Sequence, residues 1–302
     1  MKFIKAIEAN FWILFVLAMF LGLLIPSPII NLSNVILVIL MVTFFFTCLK
    51  VDFFDVIAHI KKPLSFIYIL IVYMFLIPGI LYLLFQFISS DLAIAFLLLS
   101  AMPPGIVSPV FTEFFKGNVS LSLALSLVGH LVAPFSVPLL FLLLTHQNVQ
   151  LDITSLFKTL ILISFVPLGA AEVVKRIAKK WVTETQPYYS LISILLVSFM
   201  IYNVVASQAK TILHNPLGAI IDSLWLCLLF LILYIVGYGT AFWRKKPDKI
   251  ALAVSKAYMN MGPAIGLSVI FFGPHIALMM VLAEVPWNTT LGPFKYLLKY
   301  LR

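Results

Sequence analysis

Charged residues are what this chain has least of. Only 10% of its 302 residues are Asp, Glu, Lys or Arg, against about 25% in an ordinary soluble domain, which excludes a water-facing globule. There are two cysteines, Cys48 near the end of one apolar run and Cys227 in the middle of another. They make no metal spacing and no evident disulfide, so they read as two buried thiols. No glycine-rich phosphate loop is present, which argues against ATP coupling within this chain. No Ser-His-Asp, Cys-His or metal-ligand cluster stands out, so an enzyme is not expected. Acidic side chains, 11 against 20 basic ones, leave a net charge of +9. Such an excess can signal nucleic acid, but here the basic residues fall in alternate loops, which excludes that partner.

Apolar residues are plentiful. They make up 63% of the chain, and the mean hydropathy is +1.14. Near-continuous apolar runs of about 20 residues point to an all-α polytopic membrane protein, with the lipid bilayer as its solvent. Ten spans are predicted, at 7–25, 30–49, 64–87, 91–116, 119–145, 153–174, 187–208, 215–243, 249–272 and 275–298. The start, Met1-Lys2-Phe3-Ile4-Lys5, imitates a signal peptide. Glu8 and Asn10 interrupt its apolar stretch and no small-x-small cleavage site follows, so it reads as a first span.

The basic residues orient these spans. With the N-terminus inside, 17 of the 20 Lys and Arg fall in inner segments, including the 175–180 and 244–249 loops. Lys158 and Lys210 fall outside, and Lys256 falls within a span. That bias places both termini in the cytoplasm of a cell-membrane protein, the inner membrane if the cell has two.

The two halves repeat. Pro63 opens span 3 and Pro216 opens span 8, 153 residues later; Gly117 precedes span 5 and Gly273 precedes span 10, 156 residues later. Two breaks also match, 157 residues apart: Ala101-Met102-Pro103-Pro104-Gly105 in span 4 and Asn260-Met261-Gly262-Pro263 in span 9. Five spans per half is an odd number, so residues 1–150 and 151–302 form a five-plus-five inverted repeat within one membrane unit, the plan of secondary transporters.

Proline and glycine free backbone groups that lipid cannot satisfy, so breaks at membrane depth sit in protein or line a wet cavity. Pro104 and Pro263 stand where a second half-helix would begin. The N-terminal ends of those half-helices suit an anion such as a carboxylate, and the carbonyl ends of the first halves suit a cation. The bland alternative is two packed proline kinks. Around the breaks lie Ser108, Thr112, Ser122 and Ser126, with Ser122 and Ser126 on one face of span 5; hydroxyls bonded back to their own helix are the alternative there. Lys256 lies roughly 10 Å into span 9, where a lysine is costly and calls for a partner or for snorkelling. Glu284, near the middle of span 10, precedes the polar stretch Pro286-Trp287-Asn288-Thr289-Thr290 and is a candidate partner for Lys256 or a proton site. His130, between Gly129 and Pro134, could titrate or contact substrate, or be a hydrogen-bonded core histidine. Glu113, Glu172 and Asp222 lie nearer span ends and read as interfacial.

Several of these residues resemble the bile acid:sodium symporter family. Pro104-Gly105-Ile106-Val107-Ser108-Pro109 and Lys116-Gly117-Asn118-Val119-Ser120-Leu121-Ser122 are similar to its Pro-Gly-Gly, Ser-Asn and Gly-Asn-x-x-Leu-Ser pattern. Cys48-Leu49-Lys50-Val51-Asp52-Phe53 resembles its Gly-Leu-x-Leu-x-x-x-Phe signature, and Asn260-Met261-Gly262 with Phe272-Gly273-Pro274 its ninth span. The resemblance implies ten spans divided into a panel and a core domain, with unwound helices 4 and 9 crossing in the core. It also implies two sodium sites. The first aligns with Ser108, Pro109, Ser122, Ser126 and Ser255, where the family has an Asn in place of Pro109 and a Glu in place of Ser255. The second aligns with Met259 and Tyr73, where the family has glutamines. The hydroxyls Ser108, Ser122 and Ser126 remain but the anionic ligand is gone, and Lys256 stands beside the lost glutamate.

The reading is therefore a secondary active transporter of a small organic anion, working by alternating access. Pro104, Gly105, Ser108, Pro109, Thr112, Ser122, Ser126, His130, Ser255, Lys256, Met259, Asn260, Gly262 and Glu284 are the candidate binding residues. No cofactor is expected beyond a coupling ion, Na+ or H+, with sodium dependence in doubt. An auxin-efflux-type carrier and a metalloid efflux pump are alternatives, although no cysteine lies near the span 4 break, as such a pump would want. From another class, a membrane sensor that binds ligand without translocating it also fits.

Overall fold

The structure, a computed structural model, describes residues 10–28, 35–50, 63–105, 107–145, 151–298 and 300. The predicted beginnings of spans 1 and 2, the Val51-Asp52-Phe53 part of the signature and the 147–150 loop lie outside those residues. Among the described residues there are helices and one isolated antiparallel bridge, and no strand.

The helices are α1 (Phe11–Leu24), α2 (Ile36–Lys50), α3 (Pro63–Phe85), α4 (Ser90–Ala101), α5 (Ser108–Phe114), α6 (Val119–Thr145), α7 (Ile153–Ile177), α8 (Lys179–Thr185) and α9 (Tyr189–His214). They continue with α10 (Pro216–Gly239), α11 (Lys246–Ala257), α12 (Met261–Phe271), α13 (Pro274–Leu282), α14 (Glu284–Thr289) and α15 (Leu291–Leu297). Among the described residues, five stretches are long and apolar enough to cross a membrane: Pro63–Phe85, Val119–Thr145, Ile153–Ile177, Lys179–His214 and Pro216–Gly239. Shorter apolar helices include α1, α2, α4 and α12.

Local chemistry explains where helices start. Ser89 accepts the Leu92 amide at the head of α4, Asp152 accepts that of Ser155 before α7, and Asn215 accepts that of Gly218 before α10. Each caps a donor that the helix itself cannot satisfy. Proline explains where they break. The predicted span 10 is three short helices, and Pro286 and Pro293 stand four residues after Leu282 and Thr289, the last residues of α13 and α14. A proline cannot donate to the carbonyl four residues back. In α3 the turn Val72–Leu76 is a π-turn in which the Ile77 amide reaches back to the Val72 carbonyl. In that register the Tyr73 carbonyl awaits the amide of residue 78, which is proline.

Helices α1, α2, α7 and α9 pack on one another, while α3 to α6 and α10 to α14 form a second group, and α6–α7, α2–α12 and α9–α13 contacts join the two. Helices α4 and α11 are buried along their length, from Leu92 to Ala101 and from Ile250 to Ala257. Helix α4 is apolar on nearly every side, as suits the middle of such a bundle, whereas α11 carries Lys246, Asp248 and Lys249 in its first turn. The outer faces are apolar too: Phe20, Leu143, Leu224 and Ile235 are each more than half exposed, a belt that fits lipid and not water. Cys48 is buried as expected, whereas Cys227 is only partly buried; both thiols are free.

Helices α10 and α11 touch closely at Gly237, where an added Cβ would lie 2.9 Å from the Ala253 Cα, 3.0 Å from the Leu252 carbonyl oxygen and 3.0 Å from the Lys256 Cβ. Backbone cannot step aside cheaply, and overpacking costs about 1–3 kcal/mol. Gly237→Ala should lower the melting temperature of the detergent-purified protein by several degrees. Gly239→Ala, which meets nothing within 4 Å, should leave it unchanged.

Candidate functional site

The two breaks meet. The Gly105 amide donates to the Tyr258 carbonyl at 2.7 Å, and the Asn260 amide donates to the Pro103 carbonyl at 2.9 Å. Pro104 and Met259 thereby pair as an antiparallel bridge. The remaining carbonyls are taken from the side: Ser126 Oγ donates to Pro104 O at 2.8 Å, and Trp287 Nε1 to Met259 O at 3.3 Å. These groups of the unwound backbone are thus satisfied within protein, as the membrane interior requires. Only a small residue fits at Gly105, where a Cβ would approach the Tyr258 and Met259 carbonyl oxygens to 3.3 Å.

The position of the half-helix starts corrects the sequence reading. Pro104 does not open a helix; it lies in the extended bridge, and α5 begins at Ser108 with Pro109 in its first turn. Helix α5 has seven residues, and the Ser108 amide already donates to the Gly105 carbonyl at 2.9 Å. Its start is therefore occupied by the chain's own carbonyl. Helix α12 begins at Met261, ahead of Pro263, with Gly262 in its first turn and no side-chain cap from Asn260.

Three hydroxyls gather near the bridge. Ser108 and Ser122 Oγ are 3.2 Å apart, and Ser122 and Ser255 Oγ 2.8 Å. Thr112 instead donates to the Ser108 carbonyl at 2.8 Å, back into its own helix. All four are at most 1% exposed. The fold thus brings Ser108, Ser122 and Ser255 together, and each of these hydroxyls and that of Thr112 has a hydroxyl or carbonyl as its partner.

Lys256, 3% exposed, does not snorkel. Its Nζ donates to the Tyr73 carbonyl at 2.6 Å and to the Ser100 carbonyl at 2.6 Å, and it lies 5.2 Å from the centre of the Tyr73 ring. The Tyr73 hydroxyl donates to the Leu252 carbonyl at 2.5 Å, which fixes that ring against α11. The expected pairing of Lys256 with Glu284 is not formed. The lysine turns toward α3 and α4, while buried Glu284 holds Asn288, whose Nδ2 donates to the Glu284 carbonyl at 2.7 Å and to its Oε2 at 3.4 Å.

His130 Nδ1 lies 2.7 Å from the Ser126 carbonyl and Nε2 lies 2.8 Å from Asn260 Nδ2. A carbonyl only accepts, so Nδ1 carries the proton, and Nε2 accepts from the Asn260 amide group. The ring stacks on Phe44 of α2, 5.0 Å between centroids. His130 is thus a hydrogen-bonded histidine at the contact of the two helix groups, tied to the crossover through Asn260.

Sequence reasoning missed the Tyr73 and Ser100 carbonyls and the role of Trp287 as a donor to the bridge. A signal for the carbonyls was present: Pro78 stands five residues after Tyr73 in the π register, and Pro104 four after Ser100.

A comparison with known families decides what this site belongs to. The family model described as the SBF-like CPA transporter family matches residues 9–284. The chain belongs to the SBF-like CPA transporter family. That family is one of transporters, and several of this chain's helices are long and apolar enough to cross a membrane. An uncharacterized sodium-dependent transporter of Bacillus subtilis, YocS, is 27% identical over 207 residues, 68% of this chain and 63% of that protein. The probable sodium/metabolite cotransporter BASS1 of Oryza sativa is 27% identical over 139 residues, 46% of this chain and 34% of its own. The sodium/bile acid cotransporter 7 of Xenopus tropicalis is 31% identical over 104 residues, 34% of this chain and 30% of its own. These matches bear out the resemblance to bile acid:sodium symporters, and each spans less than two thirds of the relative's length.

Proposed function

We propose that this family member is a secondary transporter of a small organic anion that works by alternating access without bound sodium. The observation that carries the reading is the crossover itself: two broken helices from opposite halves of the chain, hydrogen-bonded to each other at buried depth. Such crossings at the middle of an inverted repeat are where transporters bind their cargo.

Ten crossings, two inverted halves (1–150 and 151–302) and cytoplasmic termini are part of the same reading. Contacts between helix ends support it. Asp91, Asp222 and His275 meet, with the His275 ring 2.8 Å from Asp91 and 3.1 Å from Asp222. All three lie at span ends that the basic-residue bias puts outside. Asn118 donates to Asp248, which also holds Arg244, which donates to Ser65; those four lie at ends assigned inside. Helices α1, α2, α7 and α9 would form the panel and the other group the core. Cysteine labelling from outside should reach 212–214 and the 147–150 loop but not 177–180. Outside labelling at 177–180 would reverse the orientation.

Sodium is disfavoured by the donor set. Its sites want several oxygens and some negative charge. Here the hydroxyls of Ser108, Ser122 and Ser255 bond to one another, a proline stands at 109, and no carboxylate is their partner. The residues present do not fit the ion. Lys256 supplies a positive charge of the chain's own, so uniport or proton coupling takes the place of sodium coupling. Because its ammonium faces carbonyl oxygens, the geometry favours a coupling role over contact with an anion. The uncapped start of α12, with Asn260 and His130 beside it, is the better place for the substrate's anionic group.

Uptake of candidate carboxylates into proteoliposomes tests this reading. Flux is expected in choline buffer at the rate seen in sodium. A saturable sodium requirement would refute sodium independence, and a failure of all tested anions to cross would favour a sensor.

A further inference from the structure

The surroundings of Lys256 make a cation pocket that owes nothing to acidic side chains. Its two acceptors are backbone carbonyls left without a donor by proline. Tyr73 O lies in the π-turn of α3, where the donor in register would be Pro78. Ser100 O lies in the last turn of α4, where the donor four residues on would be Pro104. Two orphaned carbonyls on separate helices thus converge on one point, and the face of the Tyr73 ring covers it from the side. Carbonyl dipoles and a ring face together suit a desolvated monovalent cation. The C-terminal end of a half-helix adds negative potential. The lysine stem approaches along α11, pressed close to α10 at Gly237.

We propose that Lys256 is a tethered occupant of a primary-ammonium site formed by the Tyr73 and Ser100 carbonyls and the Tyr73 ring, so that removing its side chain leaves a pocket that binds a free primary ammonium ion. The site is distinct from the serine cluster around Ser122. It joins the π-turn of α3 to the first halves of both broken helices, so its occupancy sets how firmly the crossover is held. The proposal deepens the sodium-independent reading and rests on it only for the consequence to transport.

The test uses Lys256→Ala in the full-length protein purified in detergent. Alanine deletes Cγ, Cδ, Cε and Nζ, the outline of n-propylammonium. The variant should melt several degrees below wild type. n-Propylammonium chloride should recover most of that loss saturably, and should not shift wild type, whose site is filled. Tetramethylammonium, which has no N–H to donate, should do nothing at equal ionic strength. In Lys256→Ala/Pro78→Ala, residue 78 regains an amide to satisfy the Tyr73 carbonyl, and recovery should weaken. Should Lys256→Ala not accumulate in cells, n-propylammonium in the medium should restore it. Equal effects of tetramethylammonium, stabilisation by sodium alone, or no recovery by n-propylammonium in either assay would each overturn the proposal. Melting needs no substrate, so this result stands apart from the flux result.

Discussion

Lys256→Met is expected to cut substrate flux by about 100-fold while the protein still folds. The scale comes from the two charge-assisted bonds to Tyr73 and Ser100, since hydrogen bonds to a charged group contribute about 1.5–3 kcal/mol and each 1.36 kcal/mol is about tenfold in rate. Methionine keeps much of the volume but leaves both carbonyls unpaired and the pocket uncharged. Some stability should be lost as well, because each buried, unsatisfied group costs about 1–3 kcal/mol. Lys256→Arg should not restore flux. A planar guanidinium does not match a point charge held by two carbonyls at 2.6 Å, and it does not give up its proton. Initial uptake rates in proteoliposomes, at matched protein density and over a range of pH, decide the matter. Wild-type flux with an unchanged pH profile in Lys256→Met would reduce the lysine to a structural latch and move attention to Glu284 and His130.

Trp287→Ala should be the most destabilising single change near the crossover. Trp287 is 6% exposed and lies between the rings of Phe11, Phe111 and Tyr258, at 5.8, 6.1 and 4.9 Å. Truncating a buried tryptophan costs about 3–5 kcal/mol. Part of that is the bond from Nε1 to the Met259 carbonyl, 3.3 Å long and on the bridge itself. Trp287→Phe separates the two contributions: it keeps an aromatic ring and loses the donor, and should cost about 1–3 kcal/mol. Denaturation of the detergent-solubilised variants checks both values. Equal losses for the two would mean that the hydrogen bond, and not the packing, carries the effect.

Much of the site was legible because proline and glycine announce themselves. The existence of two breaks, the i, i+4 serines of α6 and the buried lysine each follow from residue type and spacing in a lipid setting, although the second break lies at 258–260, ahead of the predicted 260–263. The start of α5 was placed four residues too early, since Pro104 is as compatible with an extended bridge as with a first helical turn. The continuity of span 10 was overestimated, although Pro286 and Pro293 mark its joints. Pairing Lys256 with Glu284 followed charge alone and overlooked the carbonyls that Pro78 and Pro104 leave without a donor.

By itself, the sequence determined the solvent, the class and the presence of two broken helices. Scarce charge, long apolar runs and matched prolines allow few other solutions, because an unsatisfied backbone group in hydrocarbon costs several kcal/mol. Only the tertiary structure decided which groups satisfy one another. The Gly105 and Asn260 amides take carbonyls more than 150 residues away in the chain, Ser122 reaches Ser255, and Lys256 reaches Tyr73 and Ser100. Such partners depend on how helices cross and rotate, and no local propensity encodes that.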